Sequence, residues 1–132
     1  MSLREKEYEK AIMEYNSAIA LDPENAYLRV GIAQAFIADD KPNQAIEALE
    51  EASNLQPEDA YIRLLLGLAY RDKGLESNAL EEFKKASEYG GLDISLHVRL
   101  ESLIKAVGTD NDIKEQQSKI QEIRTILEER DN

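Results

Sequence analysis

The sequence contains no cysteine and no tryptophan, one histidine, three prolines and two phenylalanines, and its 16 basic residues are outnumbered by 27 acidic ones. Each shortage removes a class of function. Without cysteine there is no disulfide framework, no thiolate nucleophile and no cysteine metal site, and a reducing compartment suits the chain. The expected location is cytoplasmic. The deficit of cations leaves a formal charge of -11, which opposes nucleic acid and anionic membrane, since both select basic surfaces. The carboxylate excess reads first as a solvated helix exterior and second as a pull on a neutral or basic partner. No run of 18 apolar residues occurs, so no segment is expected to cross or insert in a bilayer. Met1 to Glu7 enter a charged amphipathic pattern without the apolar centre of a signal peptide.

Groups for catalysis are equally scarce. His97 has no second ligand at helical spacing and is expected to be a surface or groove residue. Asp110-Asn111-Asp112 lacks the following glycine and the alternate spacing of a calcium loop, and helix capping accounts for it better. There is no glycine-rich phosphate loop, paired His/carboxylate motif or nucleophile elbow. No metal, no cofactor and no enzymatic activity are expected.

What the chain does have is an internal repeat. Hydrophobic residues make up 42% and charged ones 33% of 132 residues, enough for one domain with a continuous core. Sliding the sequence by 34 residues lays Pro23 to Gln56 onto Pro57 to Gly90. Pro23 falls on Pro57, Ala26 on Ala60, Tyr27 on Tyr61, Arg29 on Arg63, Ala45 on Ala79 and Ala52 on Ala86, with Phe36 opposite Tyr70 and Leu49 opposite Phe83. A fixed period of this length means stacked supersecondary units.

Apolar residues at steps of three and four predict a first helix from Leu3 to Leu21, carried by Tyr8, Ala11, Ile12, Tyr15, Ala18 and Ile19. Asp22-Pro23 stops it, because proline lacks an amide donor and forces the residue before it to be extended. Further helices are predicted over Glu24 to Asp39, Pro42 to Leu55, Glu58 to Lys73, Glu76 to Tyr89, Leu92 to Val107 and Asp110 to Arg130. Gly74, and Asp40 in the matching place, suit the positive φ that closes a helix. Thr109 to Asp112 offer capping oxygens to the last helix.

Leu66-Gly67, Tyr70, Gly74, Ala79, Phe83 and Ala86, with Pro57 closing the unit before them, resemble the tetratricopeptide repeat. The unit before keeps Ala45, Leu49, Ala52 and Pro57 but is weaker at Ile32-Ala33, Phe36 and Asp40. The resemblance implies an all-α fold, a right-handed α-solenoid of about seven helices in antiparallel hairpins. Over 1–132 it forms a single domain, with the second helix of a partial repeat at 3–23, repeats at 24–57 and 58–91, and a degenerate repeat with a long C-terminal helix at 92–130. Small residues at Ala33, Ala45, Ala52, Gly67, Ala79 and Ala86 let helices approach closely, and Phe36, Leu49, Tyr70 and Phe83 fill the remaining volume. In the last unit Glu101 falls where Gly67 was, and Ile113 and Ile120 fall where Ala79 and Ala86 were. The last helix is therefore expected to dock less closely, as a cap with a polar face or as a helix that pairs with another chain.

The resemblance also implies a function, the non-enzymatic binding of a protein or peptide segment in a concave groove built from the first helix of each hairpin. Carried over residue by residue, the groove comprises Tyr27, Val30, Gly31, Gln34 and Ile37, then Tyr61, Leu64, Leu65, Leu68 and Arg71, then Ser95, Val98, Arg99, Ser102 and Lys105. Apolar contacts to Tyr27, Tyr61, Leu64 and Leu68 are expected to supply affinity, and Gln34, Arg71 and Arg99 orientation. The competing reading makes Leu64, Leu65 and Leu68 core. Some family members clamp a terminal carboxylate, but Val30, Gln34 and Leu65 occupy those places here and Arg99 alone matches. The rival function is self-association as a homodimer. It would use Tyr8, Ile12 and Tyr15, which have one neighbouring helix to cover them, or the stripe of Ile120, Ile123 and Leu127.

Overall fold

The computed structural model describes residues 2–132. Seven α-helices follow one another: α1 (Leu3–Leu21), α2 (Ala26–Ala38), α3 (Pro42–Leu55), α4 (Ala60–Asp72), α5 (Glu76–Tyr89), α6 (Ile94–Val107) and α7 (Asp110–Asp131). No strand occurs among the described residues. The fold is all-α, as the periodicity predicts. The chain divides into two compact units, Met1–Pro57 and Glu58–Asn132, and the division falls where one 34-residue repeat gives way to the next.

The first helices of the three hairpins, α2, α4 and α6, begin two residues later than their apolar patterns suggest. Asn25, Asp59 and Asp93 stand in extended or near-extended backbone as N-caps, and their side chains accept from the amides of Tyr27, Ile62 and Leu96 at 3.0–3.1 Å. These caps are themselves 34 residues apart, and each satisfies an amide that the helix start leaves unpaired. Asp40 and Gly74 close α2 and α4 at φ 55° and 86°. The turn between α6 and α7 is built differently, with Gly108 extended and Thr109 and Asp112 forming a reciprocal capping box.

In the first unit α1 packs on α2 and α2 on α3. Val30, Ile32, Ala33, Ala45, Ile46, Leu49 and Ala52 are buried, Ala33, Ala45 and Ala52 completely. The Tyr15 ring of α1 covers Gly31 so closely that no Cβ could be added there without displacing it. In the second unit Leu64, Ala79, Phe83, Ala86, Leu100 and Ile104 form one cluster, with Leu68, Tyr70, Leu80, Leu96, Leu103, Val107 and Ile113 packed against it. Four helices thus share a core. Burial of each large side chain contributes about 1.5–3 kcal/mol.

The last helix packs on α6 less extensively than α3 on α2 or α5 on α4, as expected, but the stripe expected to be open for pairing is not open at two of its positions. Ile120 and Ile123 are 3% exposed, so these two side chains are spent within the chain and are not free for another one.

Gly67 sits at the tightest crossing of α4 and α5, where a Cβ would lie 2.5 Å from Phe83 Cε1 and 3.3 Å from the Ala79 carbonyl oxygen. The equivalent places in the first hairpin hold Ala33 and Leu49, a larger and a smaller residue. Gly67→Ala should therefore lower stability by about 1–3 kcal/mol through overpacking, read from urea unfolding. Adding Phe83→Leu should recover part of the loss in a double-mutant cycle; strict additivity of the two changes would contradict the crossing described.

Candidate interaction surface

The first helix of a hairpin buries one flank and shows the other to solvent. On α2 the exposed residues include Tyr27, Gln34 and Ile37, with Tyr27 at 51% and Ile37 at 52% exposure. On α4 the matching stripe holds Tyr61, 46% exposed, with Leu65, Leu68 and Arg71 half-buried. On α6 it holds Ser95, Val98, Arg99, Ser102 and Lys105, all exposed. Three expected groove residues do not belong to it. Val30 and Leu64 are 5% and 1% exposed, because at 100° per residue they lie about 60° round the helix from Tyr27 and Tyr61. Leu64 joins Leu100 and Ile104 of α6 in the core. Gly31 is buried beneath Tyr15. The core reading holds for Leu64 and in part for Leu68, which packs half-buried against the same cluster, and Leu65 stays half-buried.

The stripe is poor in charge. Within α2 the single charged residue is Arg29, and its guanidinium turns away to Glu51 of α3 at 2.5 Å and to the Pro23 carbonyl oxygen at 3.2 Å. Arg63, 34 residues on, reaches Glu82 of α5 at 3.1 Å with both side chains largely buried. On the exposed side Arg71 is 3.3 Å from Asp72, and Lys105 is 3.0 Å from Glu101. The Lys105 ammonium and the Gln117 amide hold the Glu101 carboxyl below its usual range.

His97 occupies the same repeat position as Arg29 and Arg63, and it points the same way, into the hairpin. It is completely buried, which overturns its expected place at the surface or in the groove. Its Nε2 lies 3.1 Å from the Gly91 carbonyl oxygen and its Nδ1 3.3 Å from Gln116 Nε2. Gln116 Nε2 also donates to the His97 carbonyl oxygen at 3.0 Å, and Ser87 Oγ donates to Gln116 Oε1 at 2.7 Å. Burial pushes the imidazole below its ordinary pKa, and Lys119 adds to this, against the Gly91 bond and Asp93. The sequence reading missed Ser87 and Gln116. The signal was the period, which aligns Gln116 with Glu82 and the buried Ser87 with the buried Ser53. Nearby, the Lys84 ammonium at 2.6 Å and then the Thr109 amide and hydroxyl hold the Asp112 carboxyl down at about 2. These carboxylates cap and tie helices. No group of three or more His, Cys, Asp or Glu side chains is placed to hold a metal among the described residues, and no helix is long and apolar enough to cross a membrane.

The residues proposed for self-association divide in two. Tyr8, Ile12 and Tyr15 remain half-exposed on α1, whereas Ile120 and Ile123 are buried and Leu127 is half-buried beside the exposed Ile126. The difference is clearest against the period. Ala11 and Ala18 of α1 are partly exposed, while their equivalents Ala45, Ala52, Ala79 and Ala86 are wholly buried.

Residues 2–69 match one tetratricopeptide-repeat profile, which spans more than half the chain, and residues 60–89 match a second. The chain belongs to the tetratricopeptide-repeat family. Repeats of this family build protein-interaction surfaces, and in general terms the chain is such a module. Solved structures carry the same fold. MamA 41-end from Desulfovibrio magneticus RS-1 is 20% identical with a TM-score of 0.67, over 96% of this chain and 70% of that one. Another MamA crystal structure is 20% identical with a TM-score of 0.69, over 95% and 76%. The Sgt2 tetratricopeptide-repeat domain from Aspergillus fumigatus is 27% identical with a TM-score of 0.61, over 91% and 72%. No curated protein matches the sequence.

If the exposed stripe of this repeat chain is surface and Val30 and Leu64 are core, truncation must separate them. Tyr27→Ala with Ile37→Ala should shift unfolding free energy by no more than about 1 kcal/mol in total, as two exposed sites do. Leu64→Ala should cost about 2–5 kcal/mol. Denaturant unfolding monitored by helical circular dichroism reads both.

Proposed function

We propose that the chain is a non-enzymatic binding module whose first-helix faces hold an extended or helical segment of a partner protein. The observation that carries this reading is the uncharged stripe of Tyr27, Gln34 and Ile37 on α2, repeated 34 residues on by Tyr61 and Leu68 on α4. Large side chains exposed by half on a chain that is 33% charged are a binding surface in waiting, since tyrosine brings apolar area and a polar tip at small entropic cost. The distribution of charge supports it. Arg29 on α2, Arg63 and Arg71 against Asp72 on α4, and Arg99 and Lys105 against Glu101 on α6 leave each first helix with one more cation than carboxylates. The carboxylate excess therefore belongs to the second helices and turns, and a preference for basic partners that rests on net charge does not extend to these faces.

Tyr61→Ala with Val98→Ala, two exposed positions, should weaken the complex with a partner recovered by affinity capture at least about tenfold, equivalent to 1.4 kcal/mol, with the melting temperature unchanged. An affinity equal to the parent's in calorimetry would remove these side chains from the interface.

The half-exposed apolar positions of α1 favour a second reading, self-association through that helix. In α3 and α5 the positions equivalent to Ala11, Tyr15 and Ala18 are buried, and a second copy would supply comparable cover to α1. Light scattering over a range of concentrations should then show a rise in mass, and Ile12→Arg should shift the midpoint at least about tenfold toward the monomer, because it places a charge in an apolar contact. A single monomer mass throughout would leave only the first reading.

A further inference from the structure

We propose that the third hairpin carries a pH-sensitive latch, in which protonation of His97 loosens α7 from α5 and α6 while the hairpin of α4 and α5 stays closed. The geometry follows from the period. Position by position, the tie that is Arg63 to Glu82 between α4 and α5 becomes His97 to Gln116 between α6 and α7. Arginine stays charged at every relevant pH and its tie cannot be released by acid near neutrality. Histidine titrates there.

The hydrogen bonds define which form the site accepts. Gln116 uses both amide hydrogens, one on the His97 carbonyl oxygen and one toward Nδ1, and its Oε1 accepts from Ser87. Nδ1 is therefore an acceptor, and Nε2 is the donor to the Gly91 carbonyl oxygen. Every polar atom of the cluster is satisfied with a neutral ring. A proton on Nδ1 would face the Gln116 amide donor in a completely buried site, with only the Ser87 hydroxyl oxygen, at a long 3.4 Å, left to accept it. Turning the Gln116 amide to accept it instead would strip the His97 carbonyl oxygen and the Ser87 hydroxyl of their present partners. Either outcome puts a charge in the buried polar cluster in which side chains of α5, α6 and α7 meet, and weakens it.

No charge around the ring is positioned to absorb the proton. Asp93 at the start of α6 favours it and Lys119 of α7 opposes it. Lys84 and Glu88 of α5, with Asp112, Glu115 and Lys119 of α7, line a shallow cleft over Ser87 and Gln116. Asp112 is already paired with Lys84 and titrates far below the range in question, and Glu101 is paired with Lys105. His97 is the single histidine of the chain, so the window is not shared with another.

The sign is fixed by the direction of the shift. A buried imidazole that resists protonation binds its proton more readily once α7 lifts and water reaches it, so docking is fully favourable above about pH 6.5 and is lost progressively as pH falls below it. Amide hydrogen exchange of the full chain, corrected for the intrinsic pH dependence, tests this. Between pH 7.5 and 5.0 the exchange of α7 amides from Ile113 to Leu127 should rise by up to about 30-fold, the linkage expected for a group that titrates at about 6.5 when released. Amides of α4 should not change. His97→Gln, which keeps a donor for Gly91 but has no proton to gain, should abolish the rise. Gln116→Glu, which restores the carboxylate found at Glu82, should reverse it, because the charged ring then has a counter-ion. Exchange of α7 that is flat with pH in the parent, a rise shared equally by α4, or a slope unchanged in either variant would each overturn the latch.

Discussion

Each hairpin of this chain is crossed by a polar tie that starts from the same repeat position. Arg29, Arg63 and His97 stand 34 residues apart on the first helices and all three turn inward to a side chain on the following helix. The constraint behind this is elementary. A polar group that folding takes from water must find a partner, and leaving one unpaired costs more than the pair contributes. The position therefore fixes the rotation of the helix about its axis. Once it points into the hairpin, the residues opposite it, Tyr27, Tyr61 and their neighbours, have to point out.

Packing then follows from that rotation. Gly67 lies under Phe83, and Gly31 under Tyr15, so the ring of a second helix sits on a first helix that has no Cβ to keep it away. The two contacts differ in kind. Phe83 is wholly buried in a four-helix cluster, whereas α1 contributes no fully buried residue. A ring that is enclosed resists displacement; a ring at a half-covered helix can swing aside. The same repeat position thus has different mechanical weight in the two units, for reasons of cover and not of residue type.

Much of this was legible in the sequence because a repeat supplies its own control. The period marked Ala45, Ala52, Ala79 and Ala86, and all four are wholly buried. Helix ends marked by proline, as at Pro42 and after Leu21, coincide with the structure. What escaped was the direction of side chains on the flank of a helix. Val30 and Leu64 differ from true surface residues by a small rotation, which periodicity alone resolves poorly and burial decides at once. His97 was misjudged because a lone histidine carries no motif. Its meaning lay in sharing a register with Arg29 and Arg63, and that requires aligning unlike residues by position. Isoleucine in place of alanine signals the looser docking of α7, which the structure shows, but which of those isoleucines stay open depends on the facing surface, and that is not contained in the sequence.

The functional argument rests on separating two uses of polar residues. In a chain with a formal charge of -11, charge density alone would suggest an acidic binding surface. The ties show why it does not. The arginines of the first helices are drawn inward to carboxylates of the second helices, which neutralises part of the acid there and leaves α2 with no outward charge at all. Tyr27 and Ile37 are then exposed on a face where a partner would displace water without having to strip ions of their hydration, the condition under which apolar contact yields affinity. The interaction that closes each hairpin is thus also the one that clears its outer face, and in the third hairpin, where the tie is neutral, Arg99 and Lys105 remain exposed on α6 and give that helix a cationic surface.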